Sequence, residues 1–234
     1  MKILALDTSG MNCSACIIDD EKVICDFNLN TGTTHSQTLM PMIDNMQKYS
    51  EISLDDIDVF ACSIGPGSFT GLRIGIATIK AFALAQNKPV IGVPSLVGLA
   101  YNISNFDGII CSILDAKNDN VYAALFKYKD NRPVMIENYF TDSIDSLIEN
   151  LKGKNEKVIF VGDGSVSFKE KLSESLEENA FFAPLHLNNQ LSTSIAKAAL
   201  EKALLGETET CDTLMPMYLK KSQAEREAEK KDNQ

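Results

Sequence analysis

Lys2-Ile3-Leu4-Ala5-Leu6-Asp7 is a short, nearly continuous apolar run that ends in an acid, and the chain repeats it at Ile109-Ile110-Cys111-Ser112-Ile113-Leu114-Asp115. Short runs that are apolar at almost every position read as strands buried on both faces. The segments after the two runs are also alike. Thr8 to Asn12 is polar and the chain returns as a strand from Ser14 to Asp19; Ala116 to Asn120 is polar and the chain returns from Val121 to Phe126. Aligning Asp7 with Asp115 places Ala15 on Ala123. Internal similarity of this kind predicts a duplicated unit, each copy made of hairpin strands followed by helix, strand and helix. The fold class is therefore α/β, with two related domains, each a mixed sheet flanked by helices.

The remaining elements fill this frame. Asp20-Glu21 turns the chain into a third strand, Val23 to Phe27, giving a meander. From Ser36 to Tyr49 the period changes, and Leu39, Met42, Ile43 and Met46 recur at helical spacing, with Ser36 as a cap and Pro41 either within the first turn or forcing a later start. Val59 to Ile64 reads as a buried strand, Thr70 to Gln86 as a helix apolar nearly all round, Val90 to Val93 as a strand, and Ser95 to Tyr101 as a helix. In the second half, Thr141 to Leu151 reads as a helix, Val158 to Val161 as a strand, and Phe168 to Leu176 as a helix. Ser192 to Leu204 reads as an alanine-rich helix capped by Ser192 or Thr193. Domains are expected at 1–100 and 101–219, followed by a charged, solvated tail at 220–234.

Composition narrows the function classes. The 234 residues carry 22 Lys plus Arg against 32 Asp plus Glu, a formal net charge of −10. Such a surface repels a phosphate backbone, so autonomous binding of RNA or DNA is disfavoured, while a place beside a nucleic-acid-binding partner stays open. The opening Met-Lys-Ile-Leu-Ala-Leu-Asp meets an acid too soon for a secretory signal, and no apolar run spans a membrane, so a cytoplasmic protein is expected. The six cysteines, at 13, 16, 25, 62, 111 and 211, then read as reduced and mostly buried thiols. Cys13-Ser-Ala-Cys16 has redox spacing but opens a strand instead of a helix, and no second pair completes a zinc site.

The richest stretch for chemistry is Gly65-Pro66-Gly67-Ser68-Phe69-Thr70-Gly71-Leu72-Arg73-Ile74-Gly75. A glycine turn between a strand and a helix presents amides to an anion, although this one is neither a P-loop nor a dinucleotide fingerprint. Close packing alone also calls for glycine there. Asp7, Thr8, Gly65, Gly67 and Asp115 are thus the candidates for a nucleotide or anion site, with Asp163 as a third strand-end acid and Lys117 and Arg73 as the bases tied to that end. Strand-end acids also cap turns without any chemistry. His35, just before a helix, reads as a cap or surface residue. No catalytic residue, cofactor or metal site is assigned, and no serine-nucleophile motif is present. Two apolar helices, one with Leu39, Met42, Ile43 and Met46 and the other with Leu72, Gly75, Ile76 and Ile79, make helix-to-helix pairing with a partner an expectation.

The string Ser63 to Gly75 resembles the TsaB family, the dimerisation subunit of the bacterial machinery that makes threonylcarbamoyladenosine at tRNA position 37. The resemblance runs through Ile3 to Ser9, His35-Ser36-Gln37, Gly92 to Leu96, Leu114 to Lys117 and Pro216 to Lys220. It implies an actin/Hsp70/sugar-kinase-like fold and a non-catalytic scaffold that pairs with and activates a TsaD-type transferase. That complex modifies adenosine 37 in tRNAs reading ANN codons and includes a TsaE-type P-loop ATPase. It also implies a homodimer when the chain is alone, and contact with tRNA only through the complex. The TsaD-type relative carries a metal-binding histidine pair, four apart, where this chain has Ser95 and Leu99. Lys117 replaces the family's usual arginine, keeping the charge and losing the fork. The alternative class is a small nucleotide-binding or ATP-hydrolysing protein using Asp7, Asp115 and the glycine turn.

Overall fold

The structure is a computed structural model and describes residues 1–219; the tail expected at 220–234 lies outside the described residues. The first sheet is built from β1 (Ile3–Asp7), β2 (Cys13–Ile18), β3 (Val23–Leu29), β4 (Val59–Gly65) and β5 (Val90–Pro94), in the order β3-β2-β1-β4-β5. β1 pairs antiparallel with β2 and parallel with β4, so the sheet is mixed, and both β1 and β2 are buried along their whole length. The second sheet takes β6 (Ile109–Asp115), β7 (Asn120–Lys129), β8 (Arg132–Ser143), β9 (Val158–Val161) and β10 (Ala180–Phe182) in the order β8-β7-β6-β9-β10. Read from the meander inward, the two orders match strand for strand.

Helices α1 (His35–Ser50) and α2 (Phe69–Gln86) cover one face of the first sheet, and α3 (Ser95–Tyr101) leaves β5 for the second. Helices α4 (Ile144–Lys154) and α6 (Lys169–Leu176) cover the outer face of the second sheet, with the single turn α5 (Gly164–Ser167) between β9 and α6. The last helix, α7 (Ser192–Leu204), does not stay with the second sheet. Ile195, Ala196, Ala199 and Leu200 pack on Ile3, Ala5, Cys16 and Ile91 of the first, and Leu214 enters that sheet's other core. The segment 101–219 is therefore not one spatial unit.

Three local expectations change. Thr141–Ser143 ends β8, a long strand that no sequence pattern announces, and α4 starts only at Ile144 because Ser143 Oγ accepts the Ser146 amide at 3.1 Å. The N-cap of α7 is Leu191, which has no capping side chain; the Ser192 amide instead donates to Ser14 Oγ of β2 at 2.8 Å. α1 runs through Pro41 in its interior, and Thr34, not Ser36, is its N-cap.

The largest correction concerns the two apolar helices. Leu39, Met42, Ile43 and Met46, and likewise Leu72, Gly75, Ile76 and Ile79, are all buried within this chain. They hold α1 and α2 onto the sheet and are not free to meet a partner. Solvent instead sees Met40 and Tyr49 on α1, and Arg73, Ala77, Ala81 and Leu84 on α2. Truncating Met46 to alanine is accordingly expected to lower stability by about 2–5 kcal/mol. Tyr49→Ala, on the open face, is expected to stay within about 0.5 kcal/mol. Urea unfolding of the two variants checks both, and equal small effects would mean that Met46 faces outward.

Candidate functional site

Between the two sheets lies a cleft of about 620 Å³, lined on the first sheet's side by the N-terminal ends of α1 and α2 and on the other by the β6–β7 turn. Of the five residues proposed for an anion site, the structure brings Gly67 and Asp115 to this cleft. Asp7 and Thr8 sit beneath it, buried, and Gly65 backs onto the Met217 carbonyl.

The glycine turn shows why. The Ser68 amide donates to the Ser9 carbonyl at 2.7 Å, and Ser68 Oγ accepts the Gly71 amide at 3.2 Å, capping α2. Thr8 Oγ1 donates to the Gly71 carbonyl at 2.8 Å. A methyl group on Gly67 would collide with the Ser9 carbonyl, and one on Gly71 with the Thr8 carbonyl. The glycines therefore admit the β1–β2 turn against the helix start. Two amides suited to an anion are spent on the chain itself, and the neighbouring carbonyl oxygens present negative charge where a phosphate would bring its own.

Asp7 is the anchor of that turn. Its Oδ1 accepts both the Ser9 amide, at 2.8 Å, and the Ser9 hydroxyl, at 2.6 Å. Burial pushes its carboxyl up to about 6 in spite of those hydrogen bonds and the nearby His35. His35 itself is more than a surface cap: its Nε2 lies 2.9 Å from the Gly10 carbonyl, and its ring packs beside Gly71 at the cleft wall. On the opposite wall, Asp115 Oδ1 accepts the Lys117 amide at 2.7 Å, and its Oδ2 pairs with Lys117 Nζ at 3.3 Å. Partial burial acts to raise the Asp115 carboxyl, but the Lys117 hydrogen bonds and charge, with Ser167, prevail and hold it below the usual carboxylate range. Asp163, raised mainly by burial, accepts the Asp115 amide at 2.9 Å. Both strand-end acids thus act as turn anchors, and the cleft's lysine is paired.

Ser95 and Leu99 are both buried in α3. Ser95 Oγ lies 2.6 Å from Ser63 Oγ, and Leu99 belongs to the core under the second sheet. The six cysteines are free thiols; burial pushes Cys16 up to about 12, far from thiolate chemistry at neutral pH. The sequence reading missed a polar joint between the lobes. Asn12 Nδ2 donates to the Gln190 carbonyl at 2.8 Å, and Asn102 Nδ2 to the carbonyls of Leu187 and Asn189 at 2.6 and 2.8 Å. These partners lie 85 to 178 residues apart, so no local pattern announces them.

The Asp7 environment carries a pH signature. A carboxyl whose folded pKa lies near 6, against 3.8 when exposed, binds its proton more tightly in the native state. Its ionisation therefore costs stability progressively as pH rises from about 4 to about 6, on the order of 3 kcal/mol once complete. Asp7→Asn keeps an acceptor for Ser9 and removes the ionisation. It should be more stable than the wild type at pH 7.5, with the gap closing towards pH 4. Urea midpoints across that range test this, and a gap independent of pH would contradict it.

Comparison with known proteins agrees with this architecture. A family model described as TsaD, tRNA N6-adenosine threonylcarbamoyltransferase, matches residues 30–228. The tRNA threonylcarbamoyladenosine biosynthesis protein TsaB of Bacillus subtilis is 29% identical over 228 residues, covering 96% of each chain. The protein of the same name from Buchnera aphidicola subsp. Schizaphis graminum is 30% identical over 187 residues, or 78% of this chain and 88% of its own. A Pseudomonas aeruginosa structure described as an uncharacterized protein with similarity to peptidase YEAZ superposes with a TM-score of 0.82 at 23% identity, over 94% of this chain and 99% of that one. A ROK hexokinase from Thermus thermophilus, with a TM-score of 0.50 at 11% identity over 87% of this chain and 99% of its own, relates the fold to the sugar-kinase class. By its likeness to TsaB proteins along most or nearly all of its length, the chain belongs to the TsaB family.

Proposed function

We propose that this chain is the non-catalytic pairing subunit of tRNA threonylcarbamoyladenosine biosynthesis, acting by holding a TsaD-type transferase in a competent form. The observation that carries the reading, beside family membership, is what stands in place of an active site. The resemblance puts the relative's metal-binding histidines where this chain has Ser95 and Leu99, both inside the core, and the glycine turn closes on its own chain through Ser9 and Thr8. Transfer of the threonylcarbamoyl group to N6 of adenosine 37 belongs to the partner.

The same proposal includes the finer points. The two sheets are a duplicated actin-like unit, a reading supported by their matching strand orders. The open faces of α1 and α2 meet the TsaD-type subunit, and the pair recruits a TsaE-type P-loop ATPase. The chain pairs with itself when the partner is absent, and tRNA is reached only through the complex. Among the described residues no helix is long and apolar enough to cross a membrane; a cytoplasmic place is part of the proposal. The cleft of about 620 Å³ favours one second reading, a nucleotide-binding or ATP-hydrolysing protein.

Reconstituted tRNA modification separates the two. Omitting this chain is expected to reduce modification by the TsaD-type subunit and ATPase to near background, with Asp7→Asn as active as the wild type. Full modification without the chain would overturn the proposal. ATP turnover by the chain alone, lost in Asp7→Ala, would favour the second reading.

A further inference from the structure

Charge is unevenly spread over the helices. α2 carries Arg73 and Lys80 and no acid, whereas α1 has Asp44 with Lys48, and α4, α6 and α7 each mix both signs. In a chain of net charge −10, α2 is the one described helix with bases and no carboxylate. Its open face is otherwise small and apolar, with Ala77, Ala81 and Leu84 in line with Arg73 at helical spacing.

Arg73 is exposed yet held. Its guanidinium lies 3.9 Å from the centre of the Phe69 ring, its Nε donates to Tyr218 Oη at 3.2 Å, and the Phe69 and Tyr218 rings stack at 5.0 Å. The strap that brings Tyr218 there is fixed in turn by the Met217 amide on the Ile64 carbonyl at 2.7 Å and by buried Leu214. Among the described residues no carboxylate pairs with Arg73. An exposed guanidinium already ordered by two aromatic contacts gives up little further freedom on meeting a planar bidentate acceptor. Arginine beside aromatic rings, at the edge of a flat apolar face, is also the usual make-up of an interface hot spot.

We infer that Arg73 is the specificity anchor of the α2 face, and that its counterpart is a carboxylate on an apolar helix of a different subunit. The inference rests on the pairing function proposed above and names the chemistry of that contact. A second copy is the poorer occupant. Packing α2 against α2 sets Arg73 and Lys80 against the same bases, and the one acid a second copy brings on α1 and α2, Asp44, stands one turn from its own Lys48. A partner helix bearing an acid opposite Arg73, with small residues beside it to match Ala77 and Ala81, satisfies charge and approach together.

Calorimetric titration of the full chain with the TsaD-type subunit of the same cell tests this, alongside sedimentation of each variant alone. Arg73→Glu is expected to weaken heterodimer formation by about 100-fold or more, and Arg73→Lys, which keeps the charge and loses the fork, by about tenfold. Self-association should be no weaker in Arg73→Glu than in the wild type, since the change relieves like charges. Unaltered thermal midpoints show that both variants fold. If the wild type pairs and Arg73→Glu pairs within twofold of it, the anchor is refuted and the pairing function survives. If the wild type does not pair at all, both fall. A loss of self-association equal to the loss of heterodimer would make a second copy the occupant and overturn the inference. So would tighter pairing, without dependence on Arg73, when Glu225, Glu227 and Glu229 are changed to Gln, because the chain's own carboxylates would then be what Arg73 holds.

Discussion

The contact between the β1–β2 turn and the start of α2 organises the rest of this molecule. Ser9 offers its carbonyl to the Ser68 amide, and Thr8 gives its hydroxyl to the Gly71 carbonyl. The approach is close enough that Gly67, Gly71 and Gly75 all lack room for a Cβ. In a nucleotide-binding relative of such a fold, a positive helix end facing a cleft is a natural place for phosphate. Here backbone carbonyls take that place from within. One set of hydrogen bonds thus engages the amides that an anion site would need and seats α2 firmly on the sheet, with the helix's open face fixed in orientation.

Burial around that contact is costly and is met by partners. Asp7 is an acid under the turn, held by two hydrogen bonds from Ser9 and still displaced upward by its surroundings. The joint between the lobes follows the same rule. Asn12, Ser14 and Asn102 reach carbonyls and hydroxyls of the segment before and at the start of α7, so a chain crossing between two sheets leaves those buried polar groups satisfied. α7 then returns to the first sheet through Ile195 and Ala199. The two lobes are joined twice, by α3 and by α7, an arrangement suited to presenting fixed outer faces.

Much of this was legible in the sequence for a simple reason: strands buried on both faces are written as uninterrupted apolar runs. Ile3–Asp7 and Ile109–Asp115 stand out in this way, and α3 and α7 are delimited by their own residues. β8 escaped because it is an edge strand. Arg132-Pro133 opens it and Glu137-Asn138 interrupts its apolar residues as a pair, so the sequence lacks the alternation of a half-buried strand, and such a stretch with a proline does not stand out from a loop. The helix faces depart from expectation for a different reason. A stripe such as Leu39, Met42, Ile43 and Met46 says only that something covers it, and the sheet claims it before any partner can. The residues left for recognition are those the pattern treats as background, with Arg73 and its aromatic support from Tyr218, 145 positions away, the clearest case.

The central claim is that the glycine turn is closed on its own chain and serves packing in place of ligand binding. It is tested most directly by following the Ser68 and Gly71 amide resonances while magnesium and ATP are titrated into the full-length protein. The account predicts that neither amide moves on titration and that both exchange slowly with solvent. Saturable shifts centred on those two amides would mean that the turn opens to a phosphate, and would contradict it.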